Sequence, residues 1–367
     1  MGTYKRMKTP PLIKKLVHFL PFVHPYLEKR AYKREIEGSC RWILNDVLER
    51  AKAAYEKERP VCATWEDYEK AYHRYHVEYS EYFHQYEYWK LSEEERARYV
   101  VRTPMRLFYL RTIPKRVRYM FWDKDQFLQA FPEHIHRRWL VARKATREEF
   151  ENLVRACDCM AKPLAASFGE RIFKIHSSDI EDVGELYARC VEGNMLIEEC
   201  IRGCDALQQF HPQSLNSIRV VTIGNSKAGE VFGAFLRMGV GGSVVDNAHA
   251  GGLFATIDVA SGRVVTEGIN TDGGRHAIHP DTGIPIKDFQ IPEWGRIKEV
   301  CLQAARKYKD VFIVGWDVVI DTQGNVVFVE GNHGPDFDVL QSPLKKGIKR
   351  ELQAVLHKYH GNRYKLP

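Results

Sequence analysis

Long apolar runs are missing from this sequence: its hydrophobic stretches are short and interrupted, so no segment is expected to span a bilayer. A secretory signal is not expected either. The basic start (Lys5, Arg6, Lys8, Lys14, Lys15) is not followed by a clean apolar run with a small-residue cleavage site. Cysteine is scattered: the eight residues at 40, 62, 157, 159, 190, 200, 204 and 301 include no CxxC pair and no four-ligand set. Reduced structural thiols in a cytoplasmic protein are the expectation, not a zinc site. Repeats and low-complexity tracts are absent. Charge excess is absent from most of the chain, since nine Lys/Arg against Glu28 and Glu35 within residues 1–36 account for the whole formal charge of +7. A body-wide nucleic-acid surface does not fit that distribution. A local anionic contact, with the inner membrane face or an acidic partner, does.

What is present suffices for a folded chain of two or three lobes, with 367 residues of which 44% are hydrophobic. Residues 10–36 are basic and amphipathic, with Leu12, Ile13, Leu16, Val17, Phe19 and Leu20 among lysines before Pro21 and Pro25. They read equally as a membrane-surface helix or as an arm packed on its own protein. Across 65–99, Trp65, Tyr68, Tyr72, Tyr75, Tyr79, Tyr82, Tyr86 and Trp89 recur at alternating spacings of three and four, a heptad seam of aromatics. The spacing predicts one long helix, ending near Thr103-Pro104 because the residue before proline avoids helical geometry. Its stripe would be buried within the chain or in a homodimer; recognising a sugar or another protein is the alternative use of such rings. From about residue 120, strands are expected at 218–224, 230–239, 252–259, 263–268, 311–320 and 325–331, and helices at 147–157, 180–192, 293–309 and 343–358. Mostly antiparallel strands with segregated helices imply an α+β fold behind a mainly helical region, 1–119.

The strongest chemical signal runs from Gly315 to Asn332. Two apolar strands flank Asp321-Thr322-Gln323-Gly324, a hairpin turn. If Asp321 pairs with Gly324, Asp317 faces Phe328 and Glu330 faces Gly315. Alternation then puts Asp317, Phe328, Glu330 and Asn332 on one face, with Asp317 and Glu330 diagonal, roughly 7–8 Å apart at the backbone. Such oxygen ligands suit Mg2+, which keeps its remaining positions for water and phosphate. Phe328 would form an apolar floor beneath them. A hairpin merely facing water would accept Lys, Thr or Ser as readily, and gives no reason for the Glu330-Gly331-Asn332-His333-Gly334-Pro335 exit.

Asp317 followed a dozen residues later by Glu330-Gly331-Asn332 resembles the metal signature of the ATP-grasp superfamily. Further matches lie upstream in order: Asp123-Lys124 with Phe127 and Phe131, Met160 to Pro163 with Ser167 to Gly169, and Leu196 to Ile201. More specific are Asn216 to Thr222 around Arg219, Leu236-Arg237-Met238-Gly239, Val245-Asp246-Asn247 with Gly251-Gly252, and His279 to Gly283. Together, over residues 120–345, they resemble the sugar-transfer-associated ATP-grasp family. The resemblance implies an ATP-grasp fold, with subdomains at 120–205 and 206–367 sandwiching ATP. It implies Lys124 and Lys162 on the phosphates, and the Ser167–Gly169 turn covering them with backbone N–H groups. Glu198, Glu199 and Ile201 would edge the adenine. Asp205 would reach the ribose, although Gly203-Cys204-Asp205 departs from the family pattern. Arg219 and Arg237 would grip the γ-phosphate as catalytic groups, Asn216 and Asn247 would contact phosphate or metal-bound water, and Asp317, Glu330 and Asn332 would hold one or two Mg2+ ions.

The implied activity is ligation. A carboxylate attacks the γ-phosphate of ATP, and an amine then displaces phosphate from the acylphosphate to give an amide. The family's association places the substrates among small-molecule or sugar carboxylates and amines, in polysaccharide or glycoconjugate biosynthesis. Two rivals remain: a kinase of a sugar or lipid hydroxyl on the same fold, and a non-catalytic scaffold with a vestigial ATP site. His249, His276, His279 and His333 lack partners at ligand spacing and read as loop residues or substrate contacts, not as catalytic bases.

Overall fold

A computed structural model describes residues 24–164, 171–243, 246, 251–308 and 310–367, with the backbone alone over 24–32. The basic head through residue 23, Ser167, Gly169, Asn247 and His249 lie outside the described residues. The first element is α1 (His24–Glu58). Cys40, Ile43, Val47 and Ala51, spaced at helical intervals, form its buried stripe. It packs on a core of tyrosines, where the Tyr72 hydroxyl donates to the Leu44 carbonyl at 2.5 Å.

The aromatic segment is not the single long helix its spacing predicts. Helix α2 (Trp65–Tyr75) opens with a capping box between Thr64 and Asp67 and stops at His76, which takes the left-handed conformation with φ 52°. A π-type turn (Glu81–Gln85), a 3-10 turn (Tyr88–Lys90) and a single helical turn (Glu93–Arg96) follow. Tyr68 and Tyr82 show why. In a straight helix they would stand roughly 21 Å apart, yet their ring centroids meet edge-on at 5.3 Å. The chain folds back so that the rings bury one another, and Tyr68, Tyr72, Tyr79, Tyr82 and Tyr86 are all buried within the chain. Most of the stripe is therefore spent inside the chain, the first of the uses expected of it. A helix also begins, and does not end, at Thr103-Pro104: α3 (Arg102–Thr112) carries Pro104 in its first turn. There the missing N–H would have had no partner anyway.

Helices α4 (Lys115–Trp122) and α5 (Lys124–Ala130) lead to the sheets. The first sheet has strand order β1-β4-β2-β3, from β1 (Trp139–Val141), β2 (Cys159–Pro163), β3 (Phe173–Ile175) and β4 (Met195–Glu199). It is backed by α6 (Arg147–Ala156) and α7 (Val183–Glu192). The second, of seven strands, is antiparallel throughout in the order β11-β10-β5-β6-β7-β8-β9. Its strands are β5 (Ile218–Gly224), β6 (Gly229–Met238), β7 (Leu253–Ile257), β8 (Gly268–Ile269), β9 (Arg275–His276), β10 (Ile313–Ile320) and β11 (Val326–Asn332). Helices α8 (Trp294–Arg306) and α9 (Lys349–His360) pack on it. The strand expected at 263–268 shrinks to β8. The chain turns tightly at Gly262, φ +77°, where any Cβ would strike the Trp294 ring. Antiparallel sheets with segregated helices make the fold α+β. Among the described residues, no helix is long and apolar enough to cross a membrane.

Candidate functional site

The β10–β11 hairpin sets the geometry. Its turn is one residue longer than the sequence reading supposed: Asp321 N–H donates to the Asn325 carbonyl at 3.0 Å, leaving a three-residue loop with Gly324 at φ +80°. A second irregularity follows, because the register shifts between Asp317 and Val318 and makes Val329 an extra residue in β11. Val318 pairs with Phe328, but Asp317 pairs with Glu330 and Gly315 with Asn332. The two carboxylates thus stand directly opposite each other, not diagonally. Phe328 is turned to the other face, where it stacks on Trp316 with centroids 5.0 Å apart and is fully buried. It is core, and the apolar floor expected of it is supplied by Val329, which lines the cleft.

The acidic face continues across the sheet. Asp317 also pairs with Arg219 on β5, and Arg219 with Phe235 on β6, which brings Arg237 to the diagonal position on the same face. Gly315 allows this, since a Cβ there would lie 3.0 Å from both the Arg219 Cδ and Pro335. Arg219 grips Asp317 with a fork, Nε on one oxygen and Nη2 on the other at 2.7 Å, and Arg237 Nη1 donates to Asp317 Oδ2 at 2.6 Å. Arg237 reaches Asp246 at 3.3 Å as well. Burial would raise the Asp317 pKa, but the two guanidiniums prevail and hold it at about 2. Glu330 goes the other way, raised by desolvation in the cleft and by the Asp317 charge across the strands. The Asn332 amide donates to Glu330 Oε1 at 3.3 Å.

The first sheet contributes the opposite wall. Lys162 on β2 and Glu198 on β4 are diagonal neighbours and form a buried ion pair. Arg137 Nε donates to the other Glu198 oxygen at 2.7 Å, while its Nη1 donates to the Phe328 carbonyl at 2.8 Å, so one guanidinium ties the two sheets together. Burial opposes the Glu198 charge, yet Arg137 and Lys162 bring its pKa down to about 2. Lys124 from α5 joins the cleft with its pKa lowered by burial, against the pull of Glu330. The cleft volume is about 400 Å3.

Lys124, Lys162, Glu198, Arg219, Arg237, Asp317, Glu330 and Asn332 all line this cleft. Four other expected residues do not. Glu199 alternates to the far face of β4 and binds Arg138 at 3.1 Å. Ile201 is not in the wall. The Asp205 side chain is 93% exposed. Asn216 is buried and spent on the backbone, donating to His211 O at 2.9 Å and accepting from Gly239 N–H at 3.4 Å. Among the histidines, buried His279 bonds the Gly239 carbonyl at 2.8 Å, whereas His333 lines the cleft with its pKa pushed down to about 4 by burial. Sequence reasoning missed Arg137, whose one signal was the basic run from His134 to Arg138, and it missed Asp336 and Asp338, which also line the cleft.

As a cation site the donor set is oxygen only, two carboxylates and an amide. Among the described residues there is no group of three or more His, Cys, Asp or Glu able to hold an ion by themselves. Such a set fits Mg2+, which completes its shell with water and phosphate oxygens.

The model of the family described as sugar-transfer associated ATP-grasp matches residues 153–357. No curated protein sequence matches significantly. Among solved structures, the ATP-grasp ligase PsnB, complexed with minimal precursor, Mg and ADP, shares 15% identity over 63% of this chain and 56% of its own, with TM-score 0.39. Biotin carboxylase from Campylobacter jejuni shares 14% over 71% and 48%, with TM-score 0.43. The D-alanine-D-alanine ligase from Coxiella burnetii shares 12% over 65% and 61%, with TM-score 0.35. The chain spans between 48% and 61% of the length of these three proteins.

Proposed function

The chain belongs to the sugar-transfer-associated ATP-grasp family, and from that premise we propose that it is a Mg2+- and ATP-dependent ligase joining a carboxylate to an amine. The observation that carries this reading is the row Glu330–Asp317–Arg219–Arg237 on one sheet face, lining the same cleft as Lys162 and Lys124. Four cationic groups can meet the triphosphate, and the apolar Leu128, Ile172, Leu196 and Val329 offer a wall for adenine. Asp317, Glu330 and Asn332 would hold Mg2+, which supplies Lewis-acid stabilisation of charge on the phosphate oxygens.

Within this chain, Asp317 fixes both guanidiniums. When phosphate oxygens arrive they compete for the same N–H donors, so the arginines are already aimed where charge develops. The Glu198 carboxylate does the same for Lys162, holding its ammonium against the cleft wall. A substrate carboxylate oxygen attacks the γ-phosphorus and ADP leaves. The amine nitrogen then attacks the acyl carbon, phosphate leaves, and the amide forms with loss of a proton. A closed cleft keeps water from the acylphosphate. The family's association makes an acidic sugar or glycoconjugate the proposed carboxylate. The test is ADP release from a panel of acidic sugars with hydroxylamine as trap. Hydroxamate should form, and Asp317→Asn should lower turnover on the order of a hundredfold. ADP release without hydroxamate would sink the ligase reading, and unchanged turnover in Asp317→Asn would sink the assigned site.

A further inference from the structure

Beyond Asn332 the chain runs through Pro335 into the one-turn helix Asp338–Gln341, and this segment meets the N-terminal helical region along one edge of the cleft. Asp336 and Asp338 line the cleft there. Arg102 is the central cation of the cluster. It binds Asp338 Oδ2 through Nη2, Glu78 Oε2 through Nη1 at 3.0 Å, and stands 3.9 Å from Asp336 Oδ2. Glu81 lies behind, wholly buried, accepting from the backbone N–H groups of Glu78 and Arg102 at 2.9 and 2.8 Å. Arg106 stands 3.9 Å from Glu78, and its charge also acts on Asp336. Four carboxylates thus share two guanidiniums.

The second observation is an unmet acceptor. Asp338 is 6% exposed, and its Oδ1 is buried without a hydrogen-bond partner. A buried carboxylate oxygen left unmatched costs about 1–3 kcal/mol or more. Asp336, 44% exposed into the cleft, faces the same side of Arg102. We propose that Asp336 and Asp338 form the subsite that holds the amine co-substrate by its ammonium group. The assignment of that ammonium to the reacting amine rests on the ligase reading; the cation subsite itself rests on the carboxylate geometry alone. An ammonium suits it because its three N–H donors can be shared among carboxylate oxygens. Burial pushes the Glu81 pKa up to about 8, so at neutral pH three carboxylate charges face two guanidiniums and one ammonium matches the excess. The Asp336 pKa is raised by burial and by the Asp338 and Glu78 charges, a local field that favours an arriving cation.

The experiment is calorimetric titration of the full chain, saturated with Mg2+ and a non-hydrolysable ATP analogue, with ethanolamine, putrescine and lysine, and with uncharged ethylene glycol. At least one amine should bind and ethylene glycol should not. Asp336→Asn should weaken amine binding tenfold or more while leaving affinity for the ATP analogue unchanged. Asp338→Asn should act likewise. If its loss of the Arg102 contact prevents folding, seen by thermal melting, Asp336→Asn still decides. Silence of all three amines, equal binding of ethylene glycol, or amine binding untouched in Asp336→Asn would each overturn the subsite. Asp336-dependent amine binding without any hydroxamate would retain the subsite and reject the ligase; hydroxamate with Asp336-independent amine binding would do the reverse.

Discussion

Asp317 and Glu330 face each other across one strand pair and differ in proton affinity because only one of them is surrounded by guanidiniums. Asp317 takes three N–H donors and is held at about 2, whereas Glu330 meets the Asp317 charge and is raised. Glu198 resembles Asp317, buried and held at about 2 between Arg137 and Lys162. Both have folded-state pKa values below their ordinary values of 3.8 and 4.5. The stability they contribute is therefore present above those ordinary values and lost as pH falls toward 2. At 1.36 kcal/mol per unit, each is worth roughly 2–4 kcal/mol. Denaturant midpoints should drop between roughly pH 5 and pH 2, and Glu198→Gln should flatten that drop. An unchanged pH slope in Glu198→Gln would show that its ion pairs do not set acid stability.

At the scale of elements, two glycines in the hairpin separate backbone cost from packing cost. Gly324 has φ +80° and open space where a Cβ would go. Gly324→Ala should therefore cost about 1–2 kcal/mol through the left-handed backbone alone. Gly331 lies opposite Trp316, and a Cβ there would come within 2.5 Å of Phe127 and 2.9 Å of Phe121. Gly331→Ala should cost about 1–3 kcal/mol by overpacking, and it should disturb the cleft as well, since both rings line it. Melting curves together with affinity for an ATP analogue separate the two: the first variant loses stability with its binding intact, the second loses both. Equal effects on binding would mean that the turn, and not the packing under β11, positions the carboxylates. The hairpin also shows where sequence periodicity stops being informative. Alternation placed Asp317, Glu330 and Asn332 near one another, but a three-residue turn and the extra Val329 altered the register and sent Phe328 to the opposite face.

For the whole molecule, the helical region and the second sheet are joined through Gln341. It is fully buried. Its Oε1 accepts from Val100 N–H at 2.8 Å and Ile348 N–H at 3.2 Å, and its Nε2 donates to the Val100 carbonyl at 2.8 Å and the Tyr86 hydroxyl at 2.9 Å. Gln341→Leu keeps the volume and strands the Val100 and Ile348 N–H groups, while the Tyr86 hydroxyl still donates to the Val100 carbonyl at 3.2 Å, so a loss of about 2 kcal/mol or more is expected by chemical denaturation. A loss under about 1 kcal/mol would mean that the Gln341 hydrogen bonds add little to the join between the two regions.

The sequence by itself determined the α+β class and pointed to eight of the residues that line the cleft. Asp317, Glu330, Asn332, Lys162, Arg219 and Arg237 are polar residues interrupting apolar strands, and alternation along a strand depends only on backbone geometry. Tertiary structure alone decided how they are used. Heptad spacing in the tyrosines records that one side is buried, not whether the chain runs straight or folds back upon itself. Neither the Arg137 bond to Glu198 nor the Arg102 bond to Asp338 leaves a local pattern, since 61 and 236 residues separate the partners. Register, bulges and long-range ion pairs are settled by packing between distant segments. They set Asp317 opposite Glu330 and gave Asp317 its two arginine partners.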